Sequence, residues 1–194
     1  IYALTAIKDA YNCVGNIVPT ETKTIKVNPL PKAIIEYNKL SYCGTTSDVE
    51  LTIKANTGID LTNATYKWFR DGTVIPAVTA SAITTGVVAG IYTCELTLLT
   101  CKYITDAVTV VKNDKPEYTI SGGASYCPGA TRNSVTIEFT KGKTPITFDE
   151  NVTGLGKTSS TSTYTITNPI QGTYKPTNIK DANGCVADAS TAST

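Results

Sequence analysis

The 194-residue chain contains no histidine, no methionine, a single tryptophan and three phenylalanines. Without imidazole, nucleophile systems of the Ser-His and Cys-His kind are excluded. The six cysteines include no C-x-x-C pair, so a zinc site lacks both its usual nitrogen ligand and its usual sulfur spacing. Charge is also sparse. Only 17% of residues are charged, 17 basic against 16 acidic, for a net charge of +1. With no basic stripe, nucleic acid is not an expected partner. No apolar run approaches the roughly 18 residues that a membrane-spanning helix needs. With no methionine and Ile1 in first place, the chain reads as a piece of a longer polypeptide.

What is present favours strands. Apolar residues make up 41% of the chain, and Thr, Val, Ile and Tyr are abundant. Branched and aromatic side chains of this kind pack well on a pleated surface. The cysteines stand at positions 13, 43, 94, 101, 127 and 185. An even number in a β-rich chain suggests disulfides and an oxidising compartment. Buried free thiols are the alternative, and spacing alone does not choose among the connectivities.

The two ends of the chain carry nearly the same words. "TAIKDAYNC" occupies 5–13 and "TNIKDANGC" occupies 177–185. With Tyr2 aligned on Tyr174, Thr5 meets Thr177, Ile7 meets Ile179, Asp9 meets Asp181 and Cys13 meets Cys185, an offset of 172. Ser41-Tyr42-Cys43 and Ser125-Tyr126-Cys127 recur at an offset of 84. A unit of about 85 residues is therefore repeated. Pro-containing linkers at 27–33 and 112–118 frame it. Residues 1–29 are read as the C-terminal part of one unit, 30–113 as a complete unit and 114–194 as another.

Within a unit the apolar positions have period two. Val49, Leu51, Ile53 and Ala55 alternate with polar residues, as do Val135, Ile137 and Phe139, and Tyr92, Cys94, Leu96 and Leu98. Such alternation argues half-buried strands with one solvated face. Asp71-Gly72, Gly122-Gly123 and Asn183-Gly184 mark turns between them. Trp68 in "YKWFRDGT" and Tyr92 two residues before Cys94 are features of an immunoglobulin-like (Ig-like) domain. The expected class is all-β, with tandem Ig-like antiparallel sandwiches. Ile53 stands where the second-strand cysteine of that fold would be, which leaves Cys94 a free thiol facing Ile53 and Trp68.

The wording "IKDANGC", "VNPLPKA", "SYCPGAT" and "YKWFRDGT…GIYTCEL…TC" resembles the tandem Ig-like and gliding-adhesin-type repeats of very large Bacteroidetes cell-surface proteins exported by the type IX secretion system. These are turn and core residues, so the resemblance speaks to architecture more than to activity. It implies an extracellular, cell-surface location and a pairing of an early with a late cysteine in the same unit: Cys127 with Cys185 and Cys43 with Cys101, Cys13 having its partner elsewhere.

Candidate chemical sites are few. Asp149-Glu150 is the best local carboxylate pair, but strand neighbours point to opposite faces, and a solvated loop is the preferred reading. "TGLGK" at 153–157 lacks P-loop spacing and reads as a hairpin turn. No cofactor is expected. Calcium is the metal to consider, through Asp9, Asp181, Asn183 and Asp114, although Asp9 and Asp181 occupy equivalent corners where a carboxylate shapes a turn. Tyr42 and Tyr126 sit beside cysteines, either packing there or offering a sugar-stacking surface. The apolar stretch 76–90 is either a contact surface or a further strand.

The reading is of non-catalytic stalk or spacer repeats in a surface adhesin, gliding adhesins included, whose partners are neighbouring repeats of the same chain. The alternative is a binding module for a polysaccharide, a cell-surface protein or a secretion protein.

Overall fold

Alternation of apolar and polar residues produces strands throughout, and no helix occurs among the described residues of the computed structural model, which are 2–3, 6–16, 22–28, 30–56, 58–76 and 78–188. Thr5, Pro29 of the first linker and Ala77 lie outside the described residues, as do residues 189–194 of the last expected unit.

Two short strands, β1 (Tyr2–Ala3) and β2 (Thr22–Lys23), pair with each other around the first cysteine corner. Nine strands follow: β3 (Ala33–Tyr37), β4 (Ser41–Cys43), β5 (Leu51–Ala55), β6 (Thr65–Arg70), β7 (Thr73–Val74), β8 (Ala82–Ile83), β9 (Gly90–Leu98), β10 (Cys101–Ile104) and β11 (Val108–Asn113). They make two sheets, ordered β3-β5-β8 and β4-β11-β9-β6-β7, with β10 also on β9. In the letters of the Ig fold these are an A-B-E sheet facing a G-F-C-C′ sheet. All pairings are antiparallel except β4 with β11. Ala33, Ile35, Leu51, Ile53 and Ile83 of one sheet pack with Trp68, Tyr92, Cys94, Leu96 and Val110 of the other.

The remaining strands are β12 (Glu117–Gly122), β13 (Val135–Lys141), β14 (Ile146–Glu150), β15 (Gly154–Ser159), β16 (Thr163–Ile166) and β17 (Pro176–Lys180). Their sheets run β12-β13-β16 and β15-β14-β17, again A-B-E against C′-C-F. A second apolar cluster fills the space between, from Tyr118, Val135, Ile137, Phe139, Ile146, Phe148, Ile166 and Ile179. Phe148 makes an edge contact with Tyr164, ring centroids 5.1 Å apart, a favoured aromatic geometry. The two clusters share no residue.

Trp68 is fully buried, stands opposite Cys94 across the β6–β9 ladder and donates its Nε1–H to Ala80 O at 3.0 Å. Its neighbour Phe69 is half-buried under the Lys67 ammonium, 5.4 Å from the ring centroid. Tyr92 turns its hydroxyl back to Val88 O at 2.8 Å, and Tyr174 does the same to Ile170 O at 3.0 Å. Both span four residues just upstream of the F strand, the tyrosine corner of Ig-like domains.

Three expectations are corrected. Residues 76–90 are not an exposed contact surface. They contain β8, receive the Trp68 bond at Ala80 and bury Val87. Asp149-Glu150 is not a solvated loop but the end of β14, and Glu150 is 1% exposed. The third correction concerns the cysteines and is described with the joint below.

Candidate functional site: the joint between the sandwiches

The late cysteine is carried by a corner that the sequence Lys-Asp-Ala-x-x-Cys builds. Asp181 is buried, 5% exposed. Its Oδ1 accepts the backbone N–H groups of Asn183 at 2.9 Å and Cys185 at 2.8 Å, and its Oδ2 accepts that of Lys143 at 2.9 Å. The backbone closes the same turn through Asp181 N to Cys185 O and Gly184 N to Asp181 O, each 3.0 Å. Gly184 has φ +82°, a conformation that glycine and asparagine adopt most easily. A bridge between Lys180 and Val186 continues the chain outward.

The corner at 8–14 repeats this bond for bond. Asp9 Oδ1 accepts the N–H groups of Tyr11 and Cys13, both at 2.9 Å. Asp9 N reaches Cys13 O, and Asn12 N reaches Asp9 O. Asn12, at φ +63°, takes the place of Gly184, and Lys8 bridges Val14. The 172-residue recurrence is thus a recurrence of hydrogen-bond geometry.

The early cysteine sits at the opposite end of its sandwich. Cys43 closes β4, level with Asn113 at the end of β11, and Gly44 N donates to Asn113 O at 2.9 Å. Three residues, Asp114-Lys115-Pro116, then lead into β12. Lys115 lies against Gly44, where a Cβ would stand 3.0 Å from its Cε, and pairs with Asp188. Gly142 makes room for Pro116 in the same way; a Cβ there would meet Pro116 Cβ at 2.9 Å.

Across this joint Cys43 is disulfide-bonded to Cys185, with a Cα–Cα distance of 5.5 Å, inside the usual range. This overturns both expected pairings, Cys43 with Cys101 and Cys127 with Cys185. The reason is directional. Within one sandwich the early cysteine lies where the chain leaves and the late one where it enters. Strands of five or six residues separate those ends by roughly 17–20 Å, against the roughly 7 Å that a bridge tolerates. Across a three-residue linker the ends abut. Cys101 lies at the entry end of the first sandwich, its Sγ 3.9 Å from Asn28 O.

Four cysteines are free: Cys13 and Cys127 exposed, Cys101 half-buried and Cys94 buried. Burial pushes the Cys94 thiol up to about 12. Sequence reasoning leaves it facing Trp68 and Ile53, and it is part of that core.

The calcium candidates are not brought together. The Asp9 and Asp181 carboxylates hold backbone N–H groups of two separate corners. Asn183 contributes its backbone N–H, and Asp114 lies in the linker, where its charge acts on Lys141. No group of three or more metal-ligating side chains occurs among the described residues. Of the carboxylate pair, Glu150 accepts from Val152 N at 2.8 Å and from Thr153 N and Oγ1, both at 2.6 Å. Burial alone would raise its pKa; these bonds and the Lys157 charge outweigh burial and hold it below the ordinary value. Asp149 is also lowered, by Asn178 Nδ2 and Gly156 N. "TGLGK" enters strand β15 rather than a phosphate cradle.

A groove of about 640 Å³ opens at the far end of the second sandwich. Tyr126, Cys127, Pro128 and Arg132 form one wall, and Ile170 and Tyr174 the other. Nothing in the sequence announced it. Its walls are the segments after the A strand and before the F strand, which meet only in the folded sandwich.

No protein-family model matches the chain, and no curated protein matches it. Among solved structures the chain is similar to a crystal structure of domains A168-A170 from titin, with a TM-score of 0.41 and 15% identity, covering 72% of this chain. It spans 56% of that titin chain.

Proposed function

We propose that these sandwiches are load-bearing spacers of an extracellular protein, holding other parts of it at a distance, and that the Cys43–Cys185 bond is what fits them for it. The bond shorts the joint. Tension entering along β4 passes at Cys43 to Cys185 and leaves without straining the sandwich strands between. An oxidising location follows from the need to keep such a bond. The likeness of "IKDANGC" and "SYCPGAT" to the repeats of Bacteroidetes surface adhesins supports the finer reading, a stalk at the cell surface in a type IX-exported protein, with gliding adhesins among the candidates.

Stretching single molecules by their ends tests the role. With the bond intact, the intervening chain stays out of reach of the load. Reduction adds a contour length of about 480 Å for the 142-residue separation. If the unfolding length is the same with and without reductant, the load does not run through the bond and the reading fails.

A further inference from the structure

Three features converge on the free end of the second sandwich. Cys127 belongs to the same Ser-Tyr-Cys element as Cys43, between the first and second long strands of its sandwich. Cys43 is already bonded to a Lys-Asp-Ala-x-x-Cys corner. Cys127 is free and exposed, and it lines an open groove. Cys13, the cysteine of the other such corner, is free and exposed as well, on a turn with the same internal bonds as the one holding Cys185. The bond present at one joint therefore has both of its halves presented again, unmade, at the two ends of the chain's described structure.

We propose that the groove beside Cys127 receives the Cys13 corner of a second copy of this chain, and that Cys127 and Cys13 join in an intermolecular disulfide, head to tail. The surfaces suit one another. Tyr11 and Val14 flank Cys13 at 89% and 72% exposure, large apolar side chains facing water on both sides of the thiol. The groove offers Tyr126, Pro128 and Ile170 around Cys127, and Ile170 is itself exposed. The groove is firm on both walls. Tyr126 Oη accepts from Asn133 N at 2.6 Å and donates to Asn133 O at 3.1 Å, while Arg132 Nη1 donates to Pro169 O at 3.1 Å. At the bonded joint the matching segment before the F strand is likewise engaged, through Ala89 N to Tyr42 Oη at 3.3 Å. The contact is heterologous, since groove and corner are different surfaces, so copies add in a line rather than closing a two-fold dimer.

The chemistry is thiol–disulfide exchange with a small-molecule disulfide such as oxidised glutathione as oxidant. The Cys127 thiolate attacks that disulfide, forming a mixed disulfide and expelling one small thiolate. The Cys13 thiolate then attacks the Cys127 sulfur and expels the second. Two protein thiols give up two electrons and two protons, and one small disulfide becomes two small thiols.

The proposal rests on the joint and not on the load-bearing role, and its test reads the two separately. The purified chain is incubated in a glutathione redox buffer, run on a non-reducing gel and mapped by peptide mass spectrometry. Covalent multimers are expected, with Cys13–Cys127 the dominant peptide between copies and Cys43–Cys185 retained within each copy. Cys13→Ser and Cys127→Ser each remain monomeric alone, and their mixture gives a dimer and nothing longer, because one thiol of each kind remains. Both positions are exposed, so neither variant threatens folding. Multimers from either variant alone, or no dimer from the mixture, overturn the proposal. So does a map in which Cys13–Cys13 and Cys127–Cys127 appear at their statistical share, or one lacking Cys43–Cys185, which would remove the precedent. Failure of the stretching experiment leaves these outcomes untouched.

Discussion

Single residues here are fixed mainly by the backbone groups they satisfy. Asp181 holds three N–H groups while nearly buried. Its replacement by Ala strands those donors and is expected to cost about 2–3 kcal/mol, read by urea unfolding of the reduced protein. The equivalent Asp9→Ala change, at an exposed corner with two such bonds, costs less. Glu150 gives a pH signature. Its folded-state pKa lies below its unfolded value of about 4.3, so its contribution is complete above that value and is lost as pH falls through the folded pKa. Unfolding free energy is therefore expected to drop in acid, below about pH 4.3, with a shallower drop in Glu150→Gln. Equal acid slopes in the two proteins would remove this assignment. Cys94, with its thiol raised to about 12 and no exposure, is expected to resist iodoacetamide at pH 8 while Cys13 and Cys127 label. Peptide mapping after a short pulse separates them.

Elements were legible where a local rule decides them. The alternation in "SDVELTIKAN" and "NSVTIEFT" gave β5 and β13 because one face of each strand is buried. The two corners were legible because one carboxylate and one left-handed residue build the turn within five positions. The segment 76–90 was ambiguous for a physical reason. Its small apolar residues form only the two-residue strand β8 and otherwise line the core singly, so no period develops. The disulfide partners could not be read at all. Pairing depends on which ends of two sandwiches meet, and nothing local to a cysteine encodes that. The tyrosine corners sit between these cases: the Tyr92 side chain was placed by its distance from Cys94, and the bond to Val88 required the fold. Tyr92→Phe leaves the buried Val88 turn without its partner and is expected to cost about 1 kcal/mol, measured by thermal unfolding. An unchanged midpoint would mean that the corner is decorative.

At the scale of the molecule, the only tryptophan lies in the first core, so its fluorescence reports that core alone. Cys43→Ser is expected to leave the emission of Trp68 unshifted, because the disulfide belongs to neither apolar cluster. The same variant should unfold in two steps, seen as a fluorescence transition separate from that of far-ultraviolet circular dichroism. One coincident transition in Cys43→Ser would show that the cores stand or fall together by themselves. The repeat period, the sandwich class and the candidate cysteines all came from the sequence. The use made of the cysteines, between units rather than within them, came from the placement of chain entry and exit.

The linker through Lys115 and the sulfur bridge cross the same boundary side by side. A boundary crossed once lets its two bodies swivel about the crossing. Crossed twice, it keeps one easy bending direction and loses its twist, so a rod made of such boundaries would transmit torque as well as pull.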